Sequence, residues 1–241
     1  MATYATQNKF YPYGKVMSAY YDLSQLPILP KKIMDYIIDA PDGNAGYAPQ
    51  DNNSYPRCRL WKYLFYDGAQ PLEKALPTIS EKMSVVFDPT RPENPPTDKG
   101  YRLIPQSFVK PAQTDGQTVL RFYIGRMVPS NNEYSACVAV NFLVWTHYRY
   151  EANMQTNELS RLAGIEQALV EMLHGVNMTG VGTFFFDRRK HPECGSEPLY
   201  DGDTNVGRRV TLALEIATTT DRATTPFDNM PFMDAGGKYR M

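Results

Sequence analysis

Between Val119 and Thr218 the apolar residues change their spacing twice, and that order of spacings leaves few folds open to the chain. Val119–Val128 alternates, with Leu120, Phe122, Ile124 and Val128 on one side and Arg121, Tyr123 and Met127 on the other. Ala136–Tyr148 alternates again. Ala136, Val138, Val140, Phe142, Val144 and Tyr148 share one side, while Asn141 and His147 sit among Ala139, Leu143 and Trp145 on the other. A period of two is that of a half-buried strand, and Pro129-Ser130-Asn131-Asn132 between the runs is a turn signal, so an antiparallel hairpin is predicted. The period then lengthens. Over Glu158–His174, Leu159, Leu162, Ile165, Leu169, Met172 and Leu173 recur at three and four, the stripe of a helix lying on a sheet. Asn157 is placed to cap its start, Glu158 suits the positive end of the dipole, and Gly175 can end it in a left-handed conformation. Gly180–Arg188, with Phe184-Phe185-Phe186, and Val206–Thr218 return to strand, Arg208 breaking the second pattern early. The order predicts an α+β fold, an antiparallel sheet packed against one main amphipathic helix.

The first hundred residues read differently, as an irregular Tyr/Pro-rich region. Lys31–Asp39 carries Ile33, Met34, Ile37 and Ile38 at helical spacing, Arg59–Tyr66 alternates weakly, and Lys82–Phe87 fits a short strand. Pro89, Pro92, Pro95 and Pro96 rule out a helix or a central strand across residues 88–99, which reads as an extended linker. The expected organisation is an N-terminal region 1–100, an α+β core 101–220 and a flexible tail 221–241. At 241 residues and 42% hydrophobic, the chain has enough apolar material for one principal domain. Of its 17 tyrosines, ten fall between Tyr4 and Tyr66. A tyrosine's apolar face and polar tip suit a surface buried against a partner, and that use is expected here.

Several function classes are disfavoured. A net charge of −1, with no basic run longer than Arg188-Arg189-Lys190, argues against nucleic acid as the main ligand. Three widely spaced cysteines suggest no disulfide framework and fit a reducing cytosol. The first residues do not read as a signal peptide, and no apolar run reaches the roughly 20 residues of a membrane span. His147 lies in a strand, and His174 at a helix end, where a cation favours the dipole. His191 and Cys194 are spaced like half a zinc site, but no second pair follows at zinc spacing. Asp201-Gly202-Asp203 suits a turn, and Gly180-Val181-Gly182 lacks the third glycine of a dinucleotide fingerprint. No catalytic residue, cofactor or metal is expected, and the chain reads as structural.

The C-terminal half resembles the tail-terminator or tail-completion (neck) proteins of long-tailed bacteriophages. The resemblance lies in the order of elements over about residues 101–220: a strand ending at Trp145-Thr146-His147-Tyr148, the helix Glu158–His174, a hairpin opened by Gly180-Val181-Gly182-Thr183-Phe184-Phe185-Phe186, and a last strand opened by Asn205-Val206-Gly207-Arg208-Arg209. It implies a virion protein, assembled in the host cytoplasm, that forms a ring with copies of itself, commonly a hexamer. The ring would end the tail tube and join it to the neck, touching tube and neck proteins, with DNA passing only transiently through the lumen and no membrane involved. Another head–tail connector or tail subunit is the alternative, and an enzyme or small-molecule-binding protein a more distant one.

Asp187–Asn205 reads as a long connection between two strands, and connections of that length are more often functional than incidental. Its basic start, Arg188, Arg189 and Lys190, and its acidic remainder, Glu193, Glu197, Asp201 and Asp203, suit a head-to-tail contact between subunits.

Overall fold

The computed structural model describes residues 26–38, 51–91, 95–106, 117–129, 135–152, 160–178, 181–201 and 204–217. The predicted hairpin forms from β2 (Val119–Pro129) and β3 (Ser135–His147), paired antiparallel with Phe122 opposite Phe142 and Leu120 opposite Val144. The last strand, β7 (Asn205–Ala217), runs antiparallel along β3 for its whole length. These three strands are the middle of a seven-stranded sheet. Beyond β2 lies β1 (Leu103–Ile104), a short parallel edge. The other flank of β7 is shared in line by β5 (Gly182–Phe185), which pairs with Thr183–Phe185 opposite Ala213–Glu215, and by β6 (Gly195–Asp201), opposite Asn205–Thr211. A two-residue strand, β4 (Asn177–Met178), closes the edge beside β5.

Strict alternation fails once within the hairpin. Between Ile124 and Met127 the register shifts, so Met127 pairs with Val138 and Val128 with Cys137. A bulge adds one residue to β2, and the expectation that Val128 stays in phase with Leu120 breaks there.

The helical layer is larger than the single helix predicted. Beside α5 (Arg161–Leu173), the first hundred residues supply α1 (Leu29–Ile38), α2 (Pro56–Phe65) and α3 (Ile79–Ser84), and α4 (Tyr148–Ala152) follows β3. Helix α5 lies against β3 and β7, α1 touches β2, and α2 packs on α5. Ile33 and Ile37 of α1, Trp61 and Leu64 of α2, and Ile165 and Leu169 of α5 share one buried cluster with Phe122, Phe142 and Leu212 of the sheet. The described part of the N-terminal region is therefore helical and packed. Arg59–Tyr66 falls mostly in α2, where Pro56 occupies a first-turn position whose N–H would go unused. Lys82–Phe87, expected as a strand, instead spans the end of α3 and a single bridge from Val86 to Leu103. Thr78 caps α3: its side chain accepts from Glu81 N–H while the Glu81 carboxylate accepts from Thr78 N–H at 2.8 Å. Hydrogen bonds donated to it by the Thr78 N–H and by the Thr78 hydroxyl, each at 2.8 Å, hold the Glu81 carboxyl below its ordinary range.

Helix α5 begins at Arg161, capped by Ser160, whose hydroxyl accepts from Ala163 N–H; the predicted cap Asn157 and first residue Glu158 lie outside the described residues. Its end follows expectation, with Gly175 at φ +79°. Gly164 lets α2 approach closely, since a Cβ there would sit 2.7 Å from the Tyr63 ring. The predicted tail 221–241 lies outside the described residues. Among those described, no helix is long and apolar enough to cross a membrane.

Candidate functional site

Among the described residues four cations are buried in the helical layer, and each has a structural task. Arg161 donates to the carbonyls of Tyr63 (2.6 Å), Tyr66 (2.8 Å) and Gly68 (2.6 Å), and Arg102 donates to Leu64 O and pairs with Asp67 at 2.6 Å. Both guanidinium groups thus meet the carbonyls at the C-terminus of α2, where partial negative charge collects. Burial lowers the pKa of Arg161, and nearby Asp67 opposes the effect. Lys82 reaches the Ile38 carbonyl at the end of α1 and lies 5.5 Å from the Trp61 ring centroid, while Lys62 pairs with Asp51 at 2.6 Å. The hydrogen bond from Lys62 holds the Asp51 carboxyl below its ordinary range.

The segment expected as a long loop resolves into a turn and a strand. Asp187–Cys194 turns tightly: His191 N–H donates to Asp187 O (2.9 Å), Cys194 N–H to His191 O (3.0 Å), and Arg189 N–H to the Asp187 carboxylate (2.9 Å). From Gly195 the chain is β6, hydrogen-bonded to β7. Much of the nineteen-residue segment is thus part of the sheet, which corrects the reading of Asp187–Asn205 as one long connection.

The seven charged residues expected at a subunit contact separate accordingly. Arg188, Arg189 and Lys190 are exposed on the turn. Glu193 is drawn inward, Glu197 pairs with Arg209 of β7 at 2.9 Å, and Asp201 ends β6 opposite Asn205. Asp203 lies outside the described residues.

Glu193 belongs to a cluster on the sheet face away from α5. Cys137 Sγ, on β3, donates to Glu193 Oε1 at 2.7 Å, and His191 Nδ1 stands 3.9 Å from the same oxygen. One ligand-type atom from each of the three side chains lies within 4.8 Å of the others. Cys194 packs beside them on Cys137, Ala213 and Phe186, with its thiol donating to Phe185 O at 3.4 Å. Burial, then the Glu193 carboxylate, pushes the Cys137 thiol far up; burial is also the main cause raising Cys194. The sequence reading saw half of this group, His191 and Cys194. Cys137 lies more than fifty residues earlier, and only the β3–β7 register brings it under the turn. An apolar strand position occupied by cysteine was the one available signal.

The other two histidines are structural. His147 Nδ1 accepts from Arg149 N–H at 3.2 Å, with its ring against Tyr148. His174 is the C-cap residue of α5, its N–H donating to Val170 O at 2.9 Å, and its Nδ1 accepts from Phe186 N–H at 3.0 Å, tying the end of α5 to the connection after β5. Gly182, the last of the glycine pair, serves packing: a Cβ there would meet the Glu215 carbonyl oxygen at 2.3 Å. Arg208, the break in the β7 pattern, reaches Glu166 of α5.

Of the ten tyrosines expected to serve a partner surface, Tyr4, Tyr11, Tyr13, Tyr20, Tyr21 and Tyr47 lie outside the described residues. Of those in the first third that are described, Tyr63 is buried in the core, Tyr36 donates its hydroxyl to Met172 O and Tyr66 to Ala75 O; Tyr55 is exposed. Two exposed tyrosines, Tyr148 and Tyr200, lie at one end of the sheet. Tyr148 follows β3, and its N–H donates to Thr204 O in the β6–β7 hairpin at 2.9 Å. Tyr200, on β6, is 77% exposed.

The molecule is thus a mixed α/β protein with a curled, largely antiparallel sheet covered on one face by helices. Residues 58–211 match the YomW family model, and the chain belongs to that family, which is phage-related. No curated protein and no solved structure matches it.

Proposed function

We propose that this protein is a non-catalytic structural subunit of a phage particle, and that its specific form is a ring that ends the tail tube at the neck. The observation that carries the reading is the exposed aromatic end of the sheet. Tyr148 and Tyr200 flank the β6–β7 hairpin, with Arg149 6.0 Å from the Tyr148 ring centroid. Tyrosine and arginine are enriched in the buried centres of protein interfaces, because each offers a broad apolar surface with a polar end. The exposed Arg188–Lys190 turn adds charge for orientation. Membership of a phage-related family supports a virion partner.

The same geometry limits how subunits join. Simple extension of the sheet across a boundary is disfavoured, because β1 and β4 are two residues each and β6 carries Pro198, which lacks a donor. Contact through side chains at the hairpin end fits better. The test is the mass of the purified protein in solution. Wild type is expected to form a closed oligomer, and Tyr200→Glu a folded monomer with unchanged circular dichroism. A wild-type protein that stays monomeric both alone and with tail-tube and neck proteins would sink the reading.

A further inference from the structure

We propose that Cys137, His191 and Glu193 form a binding site for a zinc-class divalent transition metal, which fastens the turn between β5 and β6 to the centre of the sheet.

The donor set comes first. Thiolate sulfur, imidazole nitrogen and carboxylate oxygen together suit zinc and cobalt, whereas calcium and magnesium take all-oxygen sets. The spacing fits as well. Zinc bonds of about 2.0–2.3 Å place tetrahedral donors roughly 3.3–3.7 Å apart. Here the three atoms lie within 4.8 Å of one another, with separations of 2.7 Å between Cys137 Sγ and Glu193 Oε1 and 3.9 Å between His191 Nδ1 and that oxygen. Side-chain shifts of about 1 Å or less bring all three into range.

The scaffold is ordered by its own bonds. Cys137 is on β3, a strand paired along both sides, and the turn carrying the other two donors is held by its main-chain hydrogen bonds. The His191 ring is nearly covered, its side chain 11% exposed, and its Nε2 is buried with no hydrogen-bond partner among the described residues. Nδ1 is too far from Glu193 for a hydrogen bond. An imidazole left in this way, beside a thiol and a carboxylate, is arranged to give a lone pair to a cation. Charge balances too: one thiolate and one carboxylate neutralise a divalent ion, and Glu215, the register partner of Cys137, adds negative potential. On binding, Cys137 loses its thiol proton to solvent and Glu193 exchanges the S–H hydrogen bond for the ion. Three protein donors leave a fourth position for water or for a residue of another subunit.

The experiment uses the full chain, stripped with a chelator and titrated with cobalt and then zinc. One equivalent of cobalt is expected to give a thiolate-to-metal charge-transfer band that zinc abolishes. Cys137→Ala should lose the band and Cys58→Ala, in α2, should keep it. His191→Ala and Glu193→Gln, both near the surface, should weaken zinc binding by more than about tenfold, the scale reached even by outer partners of a metal site. Absence of the band at stoichiometric cobalt would overturn the proposal. So would a band that survives Cys137→Ala, or zinc affinity unchanged in both His191→Ala and Glu193→Gln, variants that remain informative if Cys137→Ala does not fold.

Discussion

The two faces of the sheet are built by different rules. On the helical side, Val138, Val140, Phe142 and Val144 of β3 are fully covered, and the charges that enter this layer, Arg161 and Arg102, satisfy the carbonyls that end α2. Neighbouring positions of the same strand that face the other way, Asn141, Leu143, Trp145 and His147, are only half-buried. That second face is closed locally, by the Asp187–Cys194 turn over Cys137 and Ala213, and polar bonds such as Thr211 to Asn141 at 2.8 Å cross it. One face therefore carries the stability of the fold, while the other keeps half-buried polar side chains available for a ligand or a partner.

The largest effect should come from the middle of the helical face. Leu169 is fully buried on α5 between the sheet and α2. In Leu169→Asp an unpaired carboxylate replaces it, at a cost on the order of 5 kcal/mol, comparable to the stability of a whole domain. The variant is expected in the insoluble fraction; a melting temperature within a few degrees of wild type would show that this face is not the core.

Arg161→Met comes next. It fills much of the same volume but strands three carbonyls, and one buried orphan group costs about 1–3 kcal/mol. A loss of about 3 kcal/mol in denaturant unfolding is expected. A neutral result would mean that those carbonyls find water, and that the helical face is wetter than its packing implies.

The split between the faces was legible in part. Alternation in β2, β3 and β7 and the helical stripe of α5 follow directly from residue spacing, because each element buries only one side. Helix α2 was not legible. Seven of its ten residues are buried, Lys62 among them, so its sequence carries no strong one-sided stripe. Strand β6 was hidden by Gly195, Pro198 and two carboxylates, which locally suggest a loop; pairing with β7 overrides that preference. The thiol–imidazole–carboxylate cluster was out of reach for the same reason, since strand register, which periodicity does not specify, brings its parts together.

A sharper test of the helical face is Gly164→Ala. A methyl there would press on the Tyr63 ring at 2.7 Å, and overpacking of this kind costs about 1–3 kcal/mol, partly offset by the better helix propensity of alanine, about 1 kcal/mol. A net loss of about 1 kcal/mol is expected. In a Tyr63→Leu background the clash is relieved, and the same change should turn neutral or stabilising. Equal effects in the two backgrounds would show that α2 and α5 are not in direct contact at this point.

The smallest effect on stability should come from the second face, and it separates folding from assembly. Glu197 pairs with Arg209 across β6 and β7, with side chains 57% and 40% exposed. An exposed pair of this kind contributes less than about 1 kcal/mol, because water screens the charges and two long side chains lose freedom in holding one geometry. The main-chain ladder between β6 and β7 does not depend on it. Glu197→Gln should therefore leave the melting temperature within about 2 °C of wild type. The carboxylate was also read as part of a subunit contact, and the two roles give opposite outcomes in one sample. If Glu197 serves only Arg209, both stability and oligomer mass stay as they are. If it reaches a neighbouring subunit, the oligomer dissociates at lower salt than wild type while the monomer fold is unchanged. A large loss of stability would contradict both, and would mean that the second face supports the fold as strongly as the helical one.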